Sequence, residues 1–91
     1  MKYEIIHTTK FKKDFKKMEK QGKDLRRLRI VIGKLANGEK LDEKYRDHAL
    51  TGNYADCREC HIAPDWLLIY RVEETEVVLL LMRTGSHSEL F

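Results

Sequence analysis

Apolar residues recur four and then three apart at Phe11, Phe15 and Met18, one stripe of an amphipathic helix over residues 9–20. Thr8-Thr9 supplies an N-cap before it, and Gln21-Gly22 supplies the exit. A second stripe, Leu25, Leu28, Val31/Ile32 and Leu35, predicts a helix from about Lys23 to Ala36, stopped by Asn37-Gly38. The short turn between them predicts an antiparallel helix hairpin. Ahead of it, Lys2 to His7 reads as a strand with Tyr3, Ile5 and Ile6 as its apolar members. Residues 39–55 are polar and without a period, a long loop for so small a domain. Three strands follow, over Asp56–Ile62, Trp66–Val72 and Val77–Met82, parted by Ala63-Pro64-Asp65 and by the acidic turn Glu73-Glu74-Thr75-Glu76. The last run is nearly continuous aliphatic, as in a covered central strand. The expected fold is α+β in the order β-α-α-β-β-β. Its last three strands form an antiparallel meander and its helix hairpin covers one sheet face.

The chain has 91 residues, enough for one domain spanning 1–91 and a small core. No apolar run reaches the roughly 20 residues of a membrane span, and Met1-Lys2-Tyr3-Glu4 does not open like a secretion signal, so a cytoplasmic protein is expected. The net charge of +3 conceals an asymmetry. Residues 1–34 hold twelve Lys/Arg and four Asp/Glu, and residues 35–91 hold six and eleven. A basic half suits a polyanion, although a solvated lysine face has the same composition. Cys57 and Cys60 form C-x-x-C, but residues three apart in a strand point to opposite faces, and no second pair completes a zinc site.

The candidate chemistry lies in the second half. Three of the four histidines sit in short polar motifs: Tyr45-Arg46-Asp47-His48, His61-Ile62-Ala63-Pro64-Asp65-Trp66 and Arg83-Thr84-Gly85-Ser86-His87. Histidine exchanges protons near neutral pH, and histidines beside a carboxylate and an arginine suit acid–base chemistry on a phosphodiester. In the meander, His61 and Asp65 flank one turn, and the last strand returns Arg83 and His87 to the same sheet end. The loop with His48 enters from the far end and is long enough to fold over the sheet face. Taken singly, each residue has a structural reading: a satisfied strand histidine, a turn cap, a cross-strand ion pair, a tail residue. Their convergence at one edge is what favours a site.

On these motifs the chain resembles the YafQ-type toxins of the RelE/ParE superfamily, across almost its whole length. The resemblance rests on Tyr45-Arg46-Asp47-His48-Ala49-Leu50-Thr51-Gly52, on His61-Ile62-Ala63-Pro64-Asp65-Trp66 with Leu67-Leu68-Ile69-Tyr70, and on Arg83-Thr84-Gly85-Ser86-His87-Ser88-Glu89-Leu90-Phe91. It departs at Arg58-Glu59-Cys60-His61, where relatives tend to carry Asp and Ala before the histidine. The resemblance implies a RelE-like fold and a ribosome-dependent endoribonuclease that cuts messenger RNA in the decoding site, with no cofactor and no metal. It implies His48, His61, Asp65 and His87 as catalytic residues, with Trp66 and Phe91 as active-site neighbours and Arg83 as the phosphate contact. Trp66 and Phe91 would be packing supports or a stacking surface for an unpaired base. A histidine polarised by Asp65 would be the base and a second histidine the acid. Lys12, Lys13 and Lys16 would meet ribosomal RNA, and the antitoxin would be a ribbon-helix-helix DNA-binding protein. The superfamily also contains toxins that poison DNA gyrase without cutting nucleic acid, and a small RNA-binding module is a third reading; the histidine set separates an enzyme from both.

Overall fold

Thr8 turns the chain out of its first strand and into its first helix. Its hydroxyl accepts the Phe11 N–H at 3.1 Å, closing the N-terminus of α1 (Thr9–Lys20). In the second helix, α2 (Leu25–Ala36), Asp24 is the cap and accepts the Arg26 N–H at 3.1 Å. That cap sets the helix start two residues after Lys23. Phe11 and Met18 of α1 and Leu28, Val31, Leu35 and Ala36 of α2 are buried, as the two stripes require. The computed structural model describes residues 2–91.

The sheet has five strands: β1 (Glu4–His7), β2 (His48–Ala49), β3 (Arg58–Ala63), β4 (Trp66–Glu73) and β5 (Val78–Gly85), ordered β1-β5-β4-β3-β2. β3, β4 and β5 form the expected antiparallel meander. β1 runs parallel to β5, so the whole sheet is mixed. The polar stretch after α2 is not all irregular. It forms 3₁₀ turns at Glu43–Tyr45 and Gly52–Tyr54 and, between them, the edge strand β2. Two residues are too few for a strand period to show in a sequence.

Tyr70, Leu68, Leu79, Leu81, Cys60 and Ile62 meet the helices in the main core. Cys57, Leu67, Ile69 and Leu90 form a smaller core on the other face. β3 begins at Arg58, so Cys57 lies just ahead of the strand; it and Cys60 nonetheless enter different cores, and burial pushes the Cys60 thiol up to about 12. Val77, expected as the first residue of the last strand, lies in the preceding turn with φ of 57°. No helix among the described residues is long and apolar enough to cross a membrane.

β5 outlasts its apolar run. The register shifts between Ile69 and Tyr70, which face Arg83 and Leu81, so Met82 is a bulge and the strand continues to Gly85. β1 covers β5 only from Val78 to Leu81. Past that point the polar groups of the β5 edge are met from α1 and its cap. The Thr8 N–H and hydroxyl donate to the Leu81 carbonyl at 3.2 and 2.8 Å. Asp14 accepts from the Thr84 N–H at 3.1 Å and from Arg83 Nε and Nη2 at 2.6 and 3.1 Å. The pair is partly buried, so removing its carboxylate leaves a cation and an N–H without partners. Asp14→Ala should cost about 3 kcal/mol of stability, read as a lower midpoint in urea unfolding at unchanged slope.

Candidate active site

The centre of the site is His61 on β3. Alternation sends Cys60 and Ile62 into the main core and turns Glu59 and His61 to the face away from the helices. Glu59 is almost wholly buried, and its Oε1 lies 3.5 Å from His61 Nε2. Burial pulls the His61 pKa below its ordinary value; Glu59 opposes this, while Arg46, His87 and His48 add to it. The ring is therefore neutral at pH 7.

His48 reaches the site by pairing. β2 lies along β3 with His48 opposite Glu59, and the His48 and His61 ring centroids are 6.4 Å apart. This corrects the expected route over the sheet face: a backbone edge left open by β3 is filled most readily by a strand. His48 Nδ1 is 2.8 Å from the Arg46 carbonyl oxygen. A carbonyl only accepts, so Nδ1 carries the hydrogen, and in the neutral ring Nε2 keeps its lone pair. Arg46 takes the left-handed conformation, φ 49°, to aim that carbonyl. Asp47 ties the segment down by accepting from the Tyr70 hydroxyl at 2.6 Å and from Arg58 Nη2 at 3.3 Å.

His87 opens α3 (His87–Leu90), a single turn held by a capping box between Ser86 and Glu89. Asp65 Oδ1 accepts the His87 N–H at 3.2 Å and lies 3.5 Å from its Nδ1. The His87 ring is 6.0 Å from His61 and 6.1 Å from Phe91, and Tyr54 meets Phe91 edge-on at 5.8 Å. His48, His61, His87 and Phe91 thus form one row, with Asp65 beside His87. Buried Leu90 anchors α3 to the smaller core, and Lys17 of α1 and Gln21, which caps that helix, reach Glu89 at 2.7 and 3.3 Å. The Lys17 ammonium, with the Ser86 N–H, holds the Glu89 pKa down to about 2.

Other expected residues lie elsewhere. Trp66 is 2% exposed, and its indole N–H donates to the Thr84 hydroxyl at 2.9 Å, which donates to the Leu67 carbonyl at 2.8 Å. Of the two roles expected for Trp66, the structure favours the packing support: the ring is enclosed, with Lys23 Nζ 6.0 Å from its centroid, and offers no open face to a base. Arg83 is occupied by Asp14. Lys12 and Lys16 border an apolar groove with Phe11 and Phe15, and Lys13 is exposed; none joins the histidine row. Phe91 is exposed at the end of that row.

Over residues 3–91 the chain matches the family described as bacterial toxin of type II toxin–antitoxin system, YafQ. The chain belongs to the YafQ family. It is 36% identical over 89 residues to the mRNA interferase toxin YafQ of Escherichia coli K12, covering 97% of this chain and 95% of that one. A metal-bound toxin from Helicobacter pylori superposes with a TM-score of 0.92 at 48% identity, covering 98% and 99% of the two chains. The YafQ chain of the E. coli DinJ–YafQ complex does so with a TM-score of 0.90 at 34% identity, covering 98% of each.

In this YafQ-family chain two neighbours of His61 carried no mark in the sequence. Glu59 stood out only as a departure from the family pattern, and Arg46 only as a member of a motif. The anchoring of α3 was legible in principle, because Ser86-x-x-Glu89 is a capping-box spacing. Glu89→Ala should release α3 and lower activity about tenfold, the scale of misplacing one proton-transfer group. Because the folded pKa lies below the ordinary 4.5, the stability from Glu89 is complete above pH 4.5 and is lost as pH falls towards about 2. Urea unfolding across that range should show this loss in the parent chain and not in Glu89→Ala.

Proposed function

We propose that this chain is the toxin of a type II toxin–antitoxin pair and an endoribonuclease that cuts messenger RNA in the ribosomal decoding site, stopping translation in the cytoplasm. The observation that carries this reading is the His61–His87 pair, 6.0 Å between ring centroids, with Asp65 against His87. Two imidazoles at that separation can flank one phosphate. The E. coli relative is an mRNA interferase, and the YafQ solved with DinJ supports a cognate antitoxin here. We take that antitoxin to be a ribbon-helix-helix DNA-binding protein.

A base must be unprotonated at working pH and an acid protonated. His61, held neutral by burial, takes the proton of the 2′-hydroxyl as the 2′-oxygen attacks phosphorus. His87, oriented through Nδ1 by the Asp65 carboxylate, gives its proton to the departing 5′-oxygen. The P–O5′ bond breaks, leaving a 2′,3′-cyclic phosphate and a 5′-hydroxyl. This reverses the expectation that the Asp65-linked histidine is the base. His48, with a lone pair on Nε2, completes the row and can accept a hydrogen bond from a sugar hydroxyl. The His87 imidazolium meets the charge developing on phosphorus. Arg83, matched by Asp14, works through position, holding the end of β5 from which His87 hangs. Phe91 offers a ring to an unstacked base.

His87→Ala should lower cutting of ribosome-bound messenger RNA at least about a hundredfold, and undiminished cutting would sink the assignment. In the parent chain kcat/KM should rise with pH on the acid side, below the ordinary histidine value of 6.5, as His61 loses its proton; His61→Gln should flatten that limb. A triple variant, Lys12→Glu with Lys13→Glu and Lys16→Glu, should bind ribosomes more weakly and with a shallower salt dependence, measured by sedimentation across salt concentrations. An unchanged salt slope would return those lysines to a solvated face.

A further inference from the structure

β2 covers only Arg58 and Glu59 of the outer edge of β3, so among the described residues no strand lies on that edge from Cys60 to Ala63, a stretch whose other edge pairs with β4. A groove of about 580 Å³ opens there between α2, the Glu43–Tyr45 turn and the free edge of β3, with Ile62 and Ala63 in its lining and His61 at its border. Its polar lining is cationic: Arg27 from α2, and Lys44 and Arg46 from the turn. No acidic side chain lines it.

The cations that line this groove are unmatched. Of seven arginines, Arg26, Arg58, Arg71 and Arg83 are paired with carboxylates. Arg27, Arg29 and Arg46 have no carboxylate partner among the described residues, and neither has Lys44; of these, Arg27, Arg46 and Lys44 line this groove. Arg46 is also held in the left-handed region, a conformation that costs an L-residue roughly 1 kcal/mol and that places it next to His61. The apolar part of the wall has the right form for a base. Ile30 is 55% exposed, and the Tyr45 ring is half-buried with Lys44 Nζ 5.2 Å from its centroid.

Resting on the endoribonuclease reading, we infer that this groove binds the RNA strand on one side of the cut. The backbone phosphates lie on Arg46, Arg27 and Lys44, and a base rests against Tyr45 and Ile30. Single-stranded RNA is bound in this way elsewhere, by a cationic track beside an aromatic or apolar platform. The groove would lead the chain to His61 and set the register of the scissile phosphate against the histidine row.

The test uses two variants, Arg27→Glu/Lys44→Glu and Arg46→Gly. Glycine accepts the left-handed backbone and keeps the carbonyl that orients His48, so only the guanidinium is removed. In the His87→Ala background, binding of a fluorescent single-stranded oligoribonucleotide is read by anisotropy. Affinity should fall about tenfold for each charge removed. The slope of log affinity against log salt should shrink by about 0.7 for each phosphate that the variant no longer neutralises. With His87 restored, the toxin concentration for half-maximal cutting on programmed ribosomes should rise for Arg27→Glu/Lys44→Glu while its saturating rate persists; Arg46→Gly is read by oligonucleotide binding alone, because its guanidinium also helps hold the His61 pKa down. Thermal melting confirms that the variants fold. Failure of the parent chain to cut, with groove-dependent oligonucleotide binding intact, would overturn the activity and not the groove. Unchanged oligonucleotide affinity and salt slope in both variants would overturn the groove, leaving the free β3 edge open to a peptide strand instead.

Discussion

The Asp14 carboxylate is the contact on which the site depends. β1 is four residues long and stops before β5 does, so the last residues of β5 have an open edge where a neighbouring strand would normally hydrogen-bond. Asp14 stands in for that strand, taking the Thr84 N–H and the Arg83 guanidinium together. On the inner face, the Thr84 hydroxyl links the Trp66 indole to the Leu67 carbonyl. The end of β5 is thus held from its edge and from its core face, and α3 begins directly after it. One turn further along α1, Lys17 reaches across to Glu89 of α3, as does Gln21 from the helix cap. A single helix therefore positions both the strand that leads to His87 and the turn that carries it.

The remaining histidines are placed by different means. His61 stands on a central stretch of β3, where pairing with β4 fixes its direction, and buried Glu59 meets its Nε2. His48 stands on a two-residue strand that would not persist alone. Its place is secured by Asp47, which accepts from a buried tyrosine and a surface arginine, and by the turned backbone of Arg46. A left-handed arginine and a deeply buried glutamate are both unfavourable choices taken by themselves. Both lie beside His61, where the conformational cost is offset by the geometry it secures.

Much of this was readable beforehand. The Phe11–Met18 and Leu25–Leu35 stripes gave two helices nearly to the residue, because a helix buries one face at a fixed period. The order of the meander placed His61, Asp65 and His87 at one end of the sheet. What escaped were features without a period. β2 is too short to alternate, α3 is one turn long, and the Met82 bulge hides where β5 ends. The lysine-rich face of α1 looked uniform in sequence, yet Lys17 braces α3 while Lys12 and Lys16 border a groove away from the histidines. Trp66 and Arg83 had the right chemistry for a substrate, and one proved enclosed by the core while the other proved matched by Asp14.

The sequence by itself determined the elements, their order and the histidine motifs, because periodicity, capping and turn chemistry act over a few residues. Tertiary structure decided which polar groups already have partners. Whether an arginine meets a carboxylate or stays open for a phosphate depends on contacts between residues far apart in the chain, as Arg83 and Asp14 show. So does the burial that holds His61 neutral. Those are long-range electrostatic and desolvation effects, and no local pattern along the chain encodes them.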